Sequence, residues 1–278
     1  MTWLQAIILG VIEGITEFLP ISSTGHLTIA EQLMGLPIDS NGVTAFTAVI
    51  QVGAIAAVLL YFRKDLARLV VAWCRGVVHP QHRGDPDHLM AWYILLGSVP
   101  ILVIGFLGRH IISGPLRNLW VVVAALVVWS FFMVWAERTS RRDRDQSQIR
   151  LRDSLVIGLY QCIALIPGVS RSGATISGGL FRNFDRVTAT RFSFLLSVPA
   201  LLAAGGFEVL TSGKDIADTV GWGPTLLATV ISFVVAYVSI AWLLHLVAGH
   251  PITVFVPYRL LLALVVAVLL ITGTLSAT

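Results

Sequence analysis

From Val43 to Phe62 the chain reads VTAFTAVIQVGAIAAVLLYF, about twenty residues without a formal charge, which is the length one helix needs to cross the hydrocarbon core of a bilayer. An amphipathic surface helix would carry a polar stripe, so this stretch predicts a membrane helix. Runs of the same kind recur at Leu89 to Gly108, Asn118 to Ala136, Phe192 to Leu210, Trp222 to Gly249 and Leu260 to Thr274, giving six spans. The whole chain agrees: 56% of its 278 residues are hydrophobic, 12% are charged and the mean hydropathy is +0.84, too apolar for a soluble domain. Lipid cannot satisfy open backbone groups, so runs this long must be helical, and the fold class is an all-α integral membrane protein.

Two further apolar segments are interrupted. Trp3 to Leu36 is broken at Pro20 and Ser22-Ser23-Thr24-Gly25, and Asp153 to Phe181 is broken at Pro167-Gly168 and Ser170-Arg171-Ser172-Gly173. Each predicts a re-entrant helix-break-helix hairpin that returns to the face it came from. With both segments re-entrant, the basic residues sort by face. Arg63, Lys64, Arg68, Arg75, Arg83, Arg138, Arg141, Arg142, Arg144, Arg150, Arg152, Arg182, Arg186, Arg191 and Arg259 fall on one side, and Arg109, Arg117 and Lys214 on the other. The excess of positive charge makes the first side cytoplasmic, so both termini and the mouth of the first hairpin face outwards, and the second hairpin comes in from the cytoplasm.

The halves repeat weakly. At an offset of 148, Gly10, Glu13, Ser22, Thr24 and Gly25 fall on Gly158, Gln161, Ser170, Ser172 and Gly173. Each half is a hairpin followed by three spans, and an odd number of crossings inverts the second half, giving inverted-topology repeats whose breaks face each other. The expected organisation is a single membrane domain, 1–278, with repeat one over 1–136 (hairpin 3–36), a cytoplasmic basic loop at 137–152, and repeat two over 153–278 (hairpin 153–181).

Several classes are excluded. Met1 to Phe18 lacks a basic start and a small-residue cleavage pattern and carries Glu13 and Glu17, unlike a cleaved signal peptide. Cys74 and Cys162 have no ligand-spaced neighbours, so neither a disulfide framework nor a zinc site is indicated. The net charge of +4 reflects arginines between spans, which topology explains without nucleic acid.

Ionisable groups at membrane depth are costly, about 2.5–3.5 kcal/mol each on insertion scales, and are candidates for function by default. Glu13, Glu17, His26 and Arg171 are these groups. Glu13 and Glu17 share a helix face four residues apart and need a cation, a shared proton or Arg171 to coexist; solvation at the interface is the plainer reading. Ser22, Ser23, Thr24 and Gly25 open a helix, where one hydroxyl caps and the free N–H groups make an anion pocket. Ser23 and His26, three apart, have the spacing for an imidazole to take the serine proton, although a satisfied buried histidine has the same spacing. Arg171 matches phosphate oxygens with its planar fork, or pairs internally with Glu13 or Glu17. Gln51 either hydrogen-bonds the site or glues helices together. The run Arg138 to Arg152 reads as a solvated loop.

Glu13 to His26, Glu-Gly-Ile-Thr-Glu-Phe-Leu-Pro-Ile-Ser-Ser-Thr-Gly-His, and Pro167 to Thr175, Pro-Gly-Val-Ser-Arg-Ser-Gly-Ala-Thr, closely resemble the two signatures of the undecaprenyl-pyrophosphate phosphatase (bacitracin-resistance protein) family. The likeness extends over nearly the whole chain. It implies hydrolysis of the C55 lipid pyrophosphate to the monophosphate with a divalent cation, Mg2+ or Ca2+, at a site open to the outer face of the bacterial cytoplasmic (inner) membrane. By motif position it implies that Glu13 and Glu17 bind metal or move protons, that Ser23 attacks phosphorus and that His26 acts as acid and base. Arg171 would then hold the pyrophosphate, with Ser22, Thr24, Gly25, Ser170, Ser172, Gly173 and Thr175 lining the pocket. The expected partners are the polyprenyl pyrophosphate and membrane lipids and not nucleic acid; a homodimer stays open. A lipid flippase or secondary transporter could use the same anion pocket, but it would need no nucleophile.

Overall fold

The computed structural model describes residues 1–37, 40–113, 116 and 118–277; the side chains at 41, 109, 110, 113, 208–215 and 217 lie outside that description. Arg117, and the side chains of Arg109 and Lys214, therefore fall outside the described residues. Among those residues the secondary structure is helical apart from one isolated β-bridge between Arg144 and Phe184. The helices are α1 (Trp3–Thr16), α2 (Ser23–Leu33), α3 (Asn41–Tyr61), α4 (Arg63–Val78), α5 (Pro86–Ser113), α6 (Leu119–Thr139), α7 (Leu151–Ile163), α8 (Arg171–Phe181), α9 (Arg186–Thr219), α10 (Trp222–Gly249) and α11 (Val256–Ile271).

Among the described residues six candidate spans are long and apolar enough to cross a bilayer: Gly42–Tyr61, Pro86–Gly108, Leu119–Thr139, Arg186–Phe207, Trp222–Gly249 and Ile252–Ile271. They match the six runs read from sequence. Large apolar side chains such as Leu107, Phe131 and Leu264 point away from the protein, as residues solvated by acyl chains do. By contrast α1, α2, α7 and α8 have 14, 11, 13 and 11 residues. At 1.5 Å per residue these helices are about 16–21 Å long, too short to cross singly a core about 30 Å thick. They form two helix-break-helix units, at the positions the sequence marked.

The units pack across the halves of the chain. Helix α1 lies on α10 and α3, whereas α7 lies on α5, and α8 on α6 and α9. Close backbone approach sets both contacts. A Cβ at Gly10 would stand 2.6 Å from the Ala228 carbonyl oxygen, and one at Gly158 would stand 2.0 Å from that of Gly97. Only glycine fits at either position, and the two are 148 residues apart.

Two expectations about charge need correction. Arg63, Lys64, Arg68 and Arg75 are not in a loop but on helix α4, whose Leu66, Leu69 and Trp73 face the main core at helical spacing. Arg259, assigned from its place in the sequence to the basic surface, is fully buried in α11. Its donors find backbone oxygens inside the protein, which no count of loop charges can reveal.

Four arginines, Arg144, Arg182, Arg186 and Arg191, pair with buried or half-buried carboxylates. Arg144 Nη2 and Arg182 Nε each lie 2.7 Å from Asp153, Arg186 Nε lies 2.7 Å from Glu137, and Arg191 Nη2 lies 2.7 Å from Asp65. Burial raises the Asp153 pKa, but hydrogen bonds from Arg144, Arg182 and the Arg150 backbone outweigh it and hold the carboxyl below its ordinary range. The segment 137–152 is exposed over most of its length, as read from the sequence, and ion pairs strap it to the bundle at Glu137 and Arg144.

Candidate active site

Each break ends on a serine with unusual backbone geometry. Ser22 has φ 76° and Ser170 has φ 77°, in a region L-residues rarely occupy and which costs about 1–3 kcal/mol each. Both cap the helix that follows: Ser22 Oγ accepts from Gly25 N at 3.4 Å, and Ser170 Oγ accepts from Gly173 N at 3.2 Å. The breaks also hold each other. Gly168 N donates to Ser22 Oγ at 3.2 Å, and Ser172 Oγ donates to the Leu19 carbonyl at 2.9 Å. The N-termini of α2 and α8 therefore meet, and their unpaired N–H groups and positive dipole ends converge.

At the meeting point Glu17, 5% exposed, is gripped from both sides. Ser23 Oγ donates to Glu17 Oε2 at 2.8 Å, and Arg171 Nη2 donates to Oε1 at 2.9 Å. A cavity of about 680 Å³ opens here. Glu17, Ser22, Ser23, Thr24, Gln51, Ser170 and Arg171 form its polar end, and Ile101, Leu102, Phe106, Ala200 and Phe207 of α5 and α9 form an apolar extension. Such a shape takes a charged head on a hydrocarbon tail.

Glu13 is 1% exposed and its Oε1 has no hydrogen-bond partner. Its charged neighbours are Glu17, Arg171 and Glu31. Glu13 stands behind Glu17, outside the cavity lining, and an orphaned carboxylate oxygen one helical turn from Glu17 fits a hard cation, which prefers oxygen ligands, or a proton shared between the two carboxyls. Among the described residues no three His, Cys, Asp or Glu side chains are placed to hold a metal ion by themselves. Two carboxylates plus the oxygens of a bound phosphate would complete the kind of site Mg2+ uses.

The model of the bacitracin resistance protein BacA family matches residues 6–265. The chain belongs to this family. It is 54% identical over 278 residues to the undecaprenyl-diphosphatase 3 of Frankia casuarinae, with all of both chains covered. It is likewise 54% identical over 281 residues to the undecaprenyl-diphosphatase of Acidothermus cellulolyticus, and 51% over 284 residues to that of Cutibacterium acnes, again with full coverage of each chain.

Set beside the expectations from sequence, the two breaks do come together, joining Glu17, Ser22, Ser23, Thr24, Gln51, Ser170 and Arg171. The expected pairing of Ser23 with His26 does not form. Ser23, first residue of α2, turns back to Glu17, while His26 Nδ1 contacts the Ser22 carbonyl at 2.7 Å and Nε2 contacts Tyr258 Oη at 2.6 Å. The carbonyl can only accept, so Nδ1 carries the proton and Nε2 accepts from the tyrosine. Thr175 does not line the cavity: it is buried and bonded to the Arg171 carbonyl at 2.9 Å and to Ser193. Ser172, Gly25 and Gly173 likewise shape the breaks from behind.

Sequence reasoning missed Tyr258, Arg259 and Glu31. The first two act across more than two hundred residues of chain, on His26 and Pro20. Glu31 is buried in α2 and accepts from Thr47 Oγ1 at 2.8 Å; its place in a polar-looking stretch of α2 gave no signal.

Proposed function

We propose that this chain hydrolyses undecaprenyl pyrophosphate to undecaprenyl phosphate and inorganic phosphate, recycling the lipid carrier of cell-wall synthesis. The observation that carries the reading is the grip on Glu17. A serine hydroxyl already donating to a carboxylate is a nucleophile with its base in place, and a guanidinium on the other oxygen is poised for phosphate. Family membership and the names of the relatives support the same reaction.

The chain's own groups supply the steps. The pyrophosphate draws Arg171 from Glu17, and the N-termini of α2 and α8 face its remaining charge. Ser23 Oγ attacks the terminal phosphorus as Glu17 takes its proton. The Oγ–P bond forms, the bridging P–O bond breaks, and undecaprenyl phosphate leaves. Water then attacks the phosphoserine, phosphate departs, and the proton on Glu17 returns to Ser23. Glu13 and Glu17 would hold a divalent cation, whose contribution when bound is to neutralise phosphate charge. The prenyl chain runs out between α5 and α9.

The proposed setting is the bacterial cytoplasmic membrane, with two re-entrant hairpins, inverted repeats 1–136 and 153–278, and the site mouth and termini outside. Three features support it: the short paired helices, the reciprocal contacts of α1 with α10 and α7 with α5, and the ion-paired arginines of the side that the charge rule makes cytoplasmic. Among the described residues helix α4 has no counterpart in the second half. A flippase or transporter would need the anion pocket but not the Ser23–Glu17 contact. The reading is tested by phosphate release from undecaprenyl pyrophosphate by the purified protein and by Ser23→Ala, Glu17→Gln and Arg171→Ala. Variants that bind substrate yet hydrolyse normally would overturn it.

A further inference from the structure

We infer that Arg259 is a positioning residue for this reaction, holding the Ser23 break and the Arg171 break at a fixed separation and placing an unpaired positive charge beneath them. The inference rests on the hydrolase reading above.

The guanidinium is 0% exposed and its donors are spread over four acceptors. Nη1 donates to the Pro20 carbonyl at 3.0 Å, Nη2 to the Gly168 carbonyl at 3.0 Å and to the Leu126 carbonyl at 3.4 Å, and Nε to Ser130 Oγ at 3.1 Å. Pro20 and Gly168 are equivalent positions, 148 residues apart, each two residues ahead of the capping serine of its break. One rigid planar fork thus spans corresponding carbonyls of the two units, and α6 fixes its orientation from behind. An ammonium on a flexible stem cannot reproduce that span.

The charge matters separately from the clamp. Among the described residues Arg259 has no carboxylate at ion-pairing distance, whereas the more exposed Arg142, Arg144, Arg171, Arg182, Arg186 and Arg191 each pair with Glu or Asp. A buried cation compensated only by dipoles is costly, and apolar packing would join two loops more cheaply. Pyrophosphate arriving in the cavity on the far side of the breaks supplies the missing negative charge, at an effective dielectric constant well below that of water. Arg259 touches neither substrate nor the reacting atoms; it acts through Pro20 and Gly168.

The test compares wild type, Arg259→Lys and Arg259→Gln for kcat, KM and amide exchange in segments 18–26 and 166–174. Lysine keeps the charge but loses the span, so kcat falls about 10²-fold through misplacement of the reacting groups, while KM stays within about threefold. Glutamine loses both, so kcat falls and KM rises as well. Amide exchange in the two breaks quickens in both variants without substrate. Wild-type kcat in the lysine variant, or unchanged exchange in the breaks, would overturn the inference. Where Arg259 variants do not fold, Ser130→Ala decides: removing one anchor lowers kcat several-fold at an unchanged melting temperature, and full activity would count against the clamp. A wild type that binds undecaprenyl pyrophosphate without releasing phosphate defeats the hydrolase reading alone, leaving amide exchange to test the clamp.

Discussion

Ser23 and Arg171 are the first residues of α2 and α8, occupy equivalent positions in the two helix-break-helix units, and bind opposite oxygens of one carboxylate, Glu17. The same backbone geometry presents a hydroxyl from one half and a guanidinium from the other. At the matched offset of 148 the two units also differ at Glu17, opposite Leu165, and at His26, opposite Ala174, so the carboxylate that both side chains reach belongs to one unit alone.

Glu17→Gln retains shape and can still accept from Ser23, but it no longer takes the proton. We expect kcat to fall about 10²–10⁴-fold, the usual weight of a general base, with KM changed far less. Steady-state phosphate release measures both; an unchanged kcat would remove Glu17 from the chemistry.

Tyr258→Phe preserves the stack on His26, whose ring lies 5.6 Å away and 6° from parallel, and deletes only the hydrogen bond to Nε2. A neutral hydrogen bond contributes about 0.5–1.5 kcal/mol, so kcat should drop about 2- to 12-fold with little change in KM. No effect would mean that the orientation of His26 is immaterial to turnover.

Much of this was legible in advance, and the physics says which part. Span length is imposed by bilayer thickness, so Val43–Phe62 and its five counterparts announce themselves. Breaks need residues that tolerate odd backbone, and Pro20, Pro167 and the Ser-rich stretches mark them. Which side chains meet is another matter. Ser23 and His26 share a helix face, yet Ser23 turns to Glu17 across the break and His26 to Tyr258, because the partners come from tertiary packing that spacing does not encode. Arg259 looks in sequence like any loop arginine, and α4 hides its apolar stripe among five charges. The strap at 137–152 shows the same limit, since the partners of Arg144 (Asp153 and the Arg182 and Gln148 carbonyls) and of Glu137 (Arg186) are brought together by packing that the sequence does not announce.

Asp153→Asn should remove the anchor of that strap. Asp153 is 1% exposed and its arginines 23% and 31%, so we expect a loss of about 2–4 kcal/mol, towards the lower end for broken buried pairs because the partners are partly wet. Because the folded carboxyl titrates below its unfolded value, the contribution is fully present above about pH 4 and disappears as pH falls through the folded pKa. Melting temperature against pH should therefore decline on acidification in wild type and less steeply in the variant.

Gly158→Ala places a methyl 2.0 Å from a backbone oxygen that cannot move alone, and should destabilise by about 1–3 kcal/mol through separation of α7 from α5. Gly206→Ala, with nothing within 4 Å, is the control and should be neutral or slightly stabilising. Equal melting temperatures for the two would contradict the close approach.

Whether the two breaks form one catalytic unit is tested most directly by a double-mutant cycle on phosphate release, using Ser23→Ala, Arg171→Ala and the combination. Groups acting together are grossly non-additive, so the double variant should be about as slow as the slower single variant. A double variant slowed by the full product of the two single effects would mean that Ser23 and Arg171 work independently, and the convergence on Glu17 would have no catalytic meaning.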